Sequence, residues 1–244
     1  MRVDSLALQM RPRSPHEAAD LGVRLCQFAA REVYPCWFAV AIPLAVISAS
    51  LFAIAMWLPA FFMWLAKPWL DRTVLFVLSR AAFGQRTTLR DLWDEQRDVW
   101  WRQLFITWTW RRLSPWRALT APVYQLEGHG FFQLRPRVSQ IRRRYSGAAW
   151  AMTTAFAFAE TALVLGFLSL GFWFAPPEQD FDLFRIYSEN GSQFLQILVT
   201  SSYLLAVLFL EPFYVAAGFG MYLNRRAELE AWDIEQEFRR AFAA

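Results

Sequence analysis

The stretch that most constrains this chain is residues 194–223, a run of 30 almost wholly apolar residues that ends at Asn224-Arg225-Arg226. An α-helix rises about 1.5 Å per residue, so such a run exceeds the roughly 30 Å of a hydrocarbon core. A helix satisfies its own backbone hydrogen bonds, as a segment in lipid must. The run carries a single charge, Glu211, directly before Pro212. Proline cannot donate and crowds the carbonyl of Leu208, which predicts a kink where the acid sits. A carboxylate at membrane depth is costly and faces the interior of a bundle. The chain therefore reads as an all-α integral membrane protein, and Glu211 is the first residue to explain.

The rest of the chain repeats the theme. Ser14-Pro15-His16-Glu17 has the form of a capped helix start, with serine as N-cap and Glu17 as reciprocal cap. Residues 1–34 then read as an amphipathic helix lying on the membrane surface, with Ala18, Leu21, Leu25, Phe28 and Ala29 on one side. They lack the short apolar core of a cleavable signal peptide. Residues 37–57 form the first membrane helix. Residues 58–84 are long enough to return, but only by burying Lys67, Asp71 and Arg72, so a second crossing and a re-entrant segment both stand. Lys67 and Asp71 are spaced to pair on a helix. Val74, Leu75, Val77, Leu78, Ala81 and Ala82 make an apolar face ending at Gly84, a C-cap glycine.

Residues 85–146 are basic and rich in tryptophan. Six of the 13 tryptophans lie between Trp93 and Trp116. Thr87 or Thr88 caps a charged helix running to about Arg112. Arg97, Trp100, Trp101, Arg102, Trp108, Trp110, Arg111 and Arg112 suit a helix at headgroup level. No motif for reading nucleic acid accompanies them, so nucleic acid is excluded as a partner and the bilayer is expected. Residues 120–136, with two prolines and two glycines, read as a loop. Arg142, Arg143 and Arg144 then stand before a second clear membrane helix, residues 147–175.

Charge sets the orientation. Residues 66–146 hold 15 Lys/Arg and six Asp/Glu, a net +9, whereas residues 176–193 hold four acids and one arginine, a net −3. The positive-inside tendency places the first block in the cytoplasm and the acidic loop in the periplasm, with 194–223 returning to a cytoplasmic, amphipathic tail at 224–244. The first 34 residues carry five arginines and four acids, a balance that decides nothing. A cytoplasmic N-terminus requires 58–83 to cross, which makes four membrane segments instead of three. The tail stops at Ala244 without a helix stop signal, as a longer chain would.

Chemistry is sparse. There is no phosphate-binding glycine loop, paired-histidine zinc motif or nucleophile elbow, and two histidines and two cysteines offer no triad, metal site or expected disulfide. The expectation is a non-enzyme without a cofactor. The one constellation is acidic. Glu160 lies 13 residues from the start of the 147–175 helix, and Glu211 lies 12 from Leu223. Both therefore sit roughly 18–20 Å into the membrane on antiparallel helices. Ala151, Ala155, Ala159, Ala162 and Gly166 form a small-residue stripe beside Glu160, suited to close helix contact. The two acids either share a proton across the interface, pair with Lys67 or Arg72 to hold the bundle, or serve as a proton or ion relay.

Several stretches resemble an uncharacterised family of proteobacterial inner-membrane proteins. They are Arg11 through Pro15, Trp64 through Arg72, Val77 through Gly84, Trp110 through Pro115, Leu126 through Gly128, and longest of all Glu211 through Val215 continuing from Leu223 to Asp233. Longer members of that family continue into a C-terminal domain like the one that ends membrane-bound transglutaminase-like proteins. Their genes lie beside those for a MoxR-type AAA+ ATPase and von Willebrand A-domain proteins. The resemblance implies a subunit of a multi-protein inner-membrane assembly and supplies no catalytic residues. Together these readings predict a membrane scaffold or complex subunit, with a small transporter or channel component using Glu160 and Glu211 as the alternative.

Overall fold

A computed structural model of the chain describes residues 13–101, 114–128, 131–173 and 189–230, and among these every regular element is helical. The elements that matter are α1 (Pro15–Phe28), α2 (Ala30–Ser50), α3 (Leu58–Ala82), α4 (Leu89–Asp94), α5 (Arg117–Leu126), α6 (Phe131–Trp173) and α7 (Glu189–Glu230). Three stretches are long and apolar enough to cross a membrane: Ala30–Ala53, Leu134–Leu170 and Leu195–Glu230. The chain is an all-α membrane protein.

The helix built on the longest apolar run is its axis. α7 continues unbroken through Pro212 and past Arg225 and Arg226, so residues 224–230 extend the helix instead of starting a new one. Pro212 leaves the carbonyl of Leu208 without its helical partner. The indole of Trp37 on α2 donates to that carbonyl at 2.9 Å, and the Tyr34 hydroxyl donates to Phe209 O at 3.2 Å. A neighbouring helix thus supplies the donors that proline withholds, the usual remedy in an apolar bundle.

α7 changes surroundings at Glu211. Before it, Ile197, Leu205 and Phe209 are exposed, as lipid-facing residues would be. From Tyr214 to Asn224 the helix is enclosed by protein, chiefly α1, α5, α6 and α3. The tightest of these contacts involves the N-terminal helix. Ser14 caps α1 through the expected box with Glu17, and α1 packs along α7. Ala18 and Gly22 on α1 meet Ala216 and Gly220 on α7 in facing small-xxx-small pairs. A Cβ on Gly22 would lie 2.0 Å from Ala216 O, and one on Gly220 would lie 2.2 Å from Ala18 O. Backbones approach this closely only where both helices present small residues. The small-residue stripe expected to seat α6 on α7 does not do so: Ala151, Ala155, Ala162 and Gly166 are exposed. The α6 side packed inward carries Ala149, Met152 and Phe156.

α2 begins at Ala30, earlier than expected, and runs through Pro35 and Pro43. α3 returns beside it, with the Ser48 hydroxyl donating to Pro59 O at 2.6 Å and Lys67 reaching the depth of Glu211. α3 is one helix through Pro68, so its first part exposes Phe61 and Trp64 while Leu70 to Ser79 are all buried. A helix buried on every side shows no apolar stripe. Protein, not lipid, therefore surrounds Lys67, Asp71 and Arg72. The helix ends as Gly84 predicted: its φ is 69°, Gln85 N–H donates to Arg80 O and Gly84 N–H donates to Ala81 O, a Schellman closure.

Two other expectations give way to packing. The charged helix from Thr88 stops after six residues, at Asp94, and a π-helical turn, Arg97–Trp101, follows. Most of residues 120–136 is helical: Pro122 lies inside α5, which runs to Leu126, and Pro136 inside α6, which starts at Phe131. An internal proline costs about 3 kcal/mol, and burial of Ala118, Leu119 and Val123 offsets it. α6 starts at Phe131 and carries Arg142, Arg143 and Arg144 as exposed helical residues. The acidic loop 176–193 lies outside the described residues except for its last five, which begin α7, and residues 231–244 of the tail also lie outside them.

Candidate functional site: a buried row of alternating charges

The ionisable residues singled out on three separate helices converge on one place. Lys67 Nζ on α3 donates to both carboxylate oxygens of Glu160 on α6, at 2.7 and 2.8 Å, and lies 3.1 Å from Glu211 Oε2 on α7. On its far side Glu211 accepts from Arg117 Nη2 at 2.6 Å, and Arg117 Nε stands 3.2 Å from Asp71 Oδ2. The result is the row Glu160, Lys67, Glu211, Arg117, Asp71, with signs that alternate from end to end.

Depth follows from helix rise. Glu160 is 13 residues from Trp173, an 86% exposed ring that suits a membrane interface. That separation is about 20 Å. Glu211 is 16 residues from Leu195, the start of the apolar span, or about 24 Å. The matching depth of the two acids is as the spacing predicts. Their direct contact is not: Lys67 stands between them. Asp71 likewise turns from Lys67, its expected partner four residues away, to Arg117. Arg72 is buried toward α5, where Gln125 Nε2 donates to its carbonyl at 2.9 Å.

The row is buried unevenly. The side chains of Asp71 and Glu211 retain 5% of their exposure and Lys67 7%, whereas Glu160 retains 24%. Glu160 opens onto a crevice of about 160 Å³ between α3 and α6, floored by Glu211 and Tyr214 of α7, with Trp64 and Phe156 on its walls. Tyr203 lies under Lys67 at 5.3 Å, and Tyr214 under Arg117 at 5.1 Å, so both cations also face aromatic rings. Thr153 ties the start of α5 to α6 by donating to Pro115 O at 2.7 Å.

Arg117 is the residue that sequence reasoning missed. It belongs to the tryptophan-rich segment and reads there as a headgroup anchor. The available signal was the charge count: three intramembrane acids against Lys67 and Arg72 leave one acid unmatched. Of the interfacial residues expected alongside it, Arg97 and Trp101 are exposed, and Arg142 lies 4.4 Å over the Trp116 ring. Trp100 is a correction: it is buried, donates from Nε1 to Thr73 Oγ1 at 3.0 Å and packs against Trp69. Arg102, Trp108, Trp110, Arg111 and Arg112 lie outside the described residues.

A second polar layer closes the C-terminal end of the axis. Glu127 accepts from Arg137 Nε at 2.8 Å and from the Tyr222 hydroxyl at 2.8 Å, and Arg137 also donates to Glu230 at 2.6 Å. Burial pushes the Glu127 carboxyl up, but the hydrogen bonds from Arg137 and Tyr222 outweigh it and hold the group below the usual carboxylate range. Asn224 donates to the Arg13 carbonyl at 2.8 Å, pinning the segment before α1.

Among the described residues no group of His, Cys, Asp and Glu side chains is placed to hold a metal ion. The row contains no nucleophile with an adjacent base. Its geometry can fix four helices against one another, and its carboxyls can hold protons. No protein-family model, curated protein or solved structure matches the chain.

Proposed function

We propose that this chain is a non-enzymatic scaffold, a subunit of a multi-protein complex in the bacterial inner membrane. Its C-terminus would lie in the cytoplasm and its acidic 176–193 loop in the periplasm. The observation that carries the reading is the way buried charge is used. The five ionisable groups of the row bind one another across α3, α5, α6 and α7, and so hold those helices in one arrangement. Removing one member would leave a buried charge uncompensated, so the frame resists deformation. A fixed frame suits a part that positions partners. Below it, exposed Trp93, Trp101, Arg142, Arg143 and Arg144 supply an aromatic and basic cytoplasmic face for headgroups and partner subunits. By the family resemblance those partners are other membrane proteins of the same assembly and a MoxR-type AAA+ ATPase system.

Purification of the native complex from its own membranes in mild detergent tests this. The scaffold reading expects the chain to run with stoichiometric partners and to lose them when Arg142, Arg143 and Arg144 are all changed to Gln. A lone chain in every detergent and lipid tried, with ion flux in liposomes, would replace the scaffold with the transporter alternative.

A further inference from the structure

The crevice between α3 and α6 has the size and lining of a small-molecule site. Its volume of about 160 Å³ is that of a cavity holding one benzene-sized ring. Trp64, Phe156 and Tyr214 line it with aromatic faces and edges, which favour a further ring stacked or edge-on. Its surroundings are apolar. Ala157, which lines it, is exposed; Trp64 stacks on exposed Phe61; and Phe158, next to Ala157, is 70% exposed.

Hydrogen bonding fixes the polar group that such a ligand carries. Lys67 Nζ has three carboxylate oxygens within 3.1 Å, one for each of its protons. Glu160 has capacity left. A carboxylate accepts about four hydrogen bonds, and among the described residues Glu160 accepts only those of Lys67. Its side chain is the most exposed of the row and lines the crevice. A ligand that supplies a donor therefore completes the site. Charge selects among donors. Arg72 lines the small cavity beside Asp71 and Arg117, so Lys67, Arg72 and Arg117 together balance Asp71, Glu160 and Glu211. An ammonium ion would add an uncompensated charge at membrane depth, whereas a hydroxyl adds none.

We propose that the crevice binds the head group of a neutral, lipid-soluble phenol. The ring lies between Trp64 and Phe156, the hydroxyl donates to Glu160, and the apolar tail leaves past Ala157 into the bilayer. A phenol keeps its proton at neutral pH, because such hydroxyls titrate near 10. Glu160 accepts this bond on lone pairs that Lys67 leaves unused, so the row keeps its ion pairs when the ligand binds.

Photolabelling of the full chain in lipid nanodiscs tests this. The probes are 4-octylphenol with a diazirine in its chain and the methyl ether of the same molecule, which keeps the ring but has no donor. The phenol should label Trp64 and Phe156, and excess unlabelled 4-octylphenol should compete that label away. The ether should label them about tenfold less, the loss of one hydrogen bond to a charged group. Both probes should label Leu165 and Leu170, which are exposed on α6, to the same extent, as molecules dissolved in lipid would. Ala157→Phe, at an exposed residue outside the row, narrows the mouth and should remove the crevice label while leaving that on Leu165. Four results overturn the proposal: equal crevice labelling by phenol and ether, a crevice label no stronger than that on Leu165, a crevice label that survives Ala157→Phe, or stronger crevice labelling by the 4-octylbenzylammonium analogue than by the phenol.

Discussion

Replacing Arg117 by Met is the most telling test of the row. Arg117 is 14% exposed and bridges Glu211 at 2.6 Å and Asp71 at 3.2 Å. Methionine keeps much of the volume and the contact with the Tyr214 ring but removes the charge. Asp71 and Glu211 then lose the cation that bridges them. Removing one partner of a buried pair costs about 3–5 kcal/mol. Proton uptake by Asp71 would relieve part of that, so about 3 kcal/mol is expected, or roughly two decades in the unfolding equilibrium. Arg80 supplies the control: its pair with Glu95 is 26% and 52% exposed, and Arg80→Met should cost less than about 1 kcal/mol. Reversible denaturation by SDS in mixed micelles, followed by tryptophan fluorescence, measures both variants. Adding Asp71→Asn and Glu211→Gln to Arg117→Met should recover most of the loss, because a neutral row leaves no charge stranded. Equal costs for the Arg117 and Arg80 variants, or a triple variant no better than Arg117→Met alone, would refute the account of the row as one electrostatic unit.

Other outcomes follow from the same geometry. Cys26 is fully buried, and burial pushes its thiol up to about 12, so it should resist maleimide in the folded protein, because the thiolate is the reactive form. Gly220→Ala, which drives a Cβ into Ala18 O, should loosen α1 and expose Cys26, with a stability loss of about 1–3 kcal/mol; unchanged labelling would contradict the close α1–α7 crossing. Glu127, held below the ordinary carboxylate range, contributes stability that is complete above its unfolded value of about 4.3 and fades as pH falls through its folded value. Glu127→Gln should therefore cost about 1–3 kcal/mol at pH 7, with the two denaturation curves converging in acid; a constant gap across pH would refute the linkage. A cysteine placed at Ser188, in a background lacking Cys26 and Cys36, should react with an impermeant maleimide in intact spheroplasts. Labelling only after permeabilisation would reverse the orientation inferred from the +9 and −3 blocks.

Sequence alone determined the features that depend on local physics. Hydrophobic length made residues 194–223 a spanning helix, because a single segment satisfies its own backbone in lipid only as a helix. Capping chemistry placed the start of α1 at Ser14 and the end of α3 at Gly84. A constant rise per residue put Glu160 and Glu211 at one depth. Only the tertiary structure decided what stands at that depth. Lys67 enters between the acids because α3 folds back along α2, and Arg117 joins them because α5 tucks against α7, a placement that its tryptophan-rich surroundings disguise. An apolar residue facing lipid and one facing a neighbouring helix have the same composition, so the pattern could not tell the exposed alanine stripe of α6 from the Ala216 and Gly220 seam that α1 occupies. Nor could it show that residues 70–79 of α3 would be enclosed by other helices. The cost of Lys67, Asp71 and Arg72 depends on whether protein or lipid surrounds them, and the other helices set that.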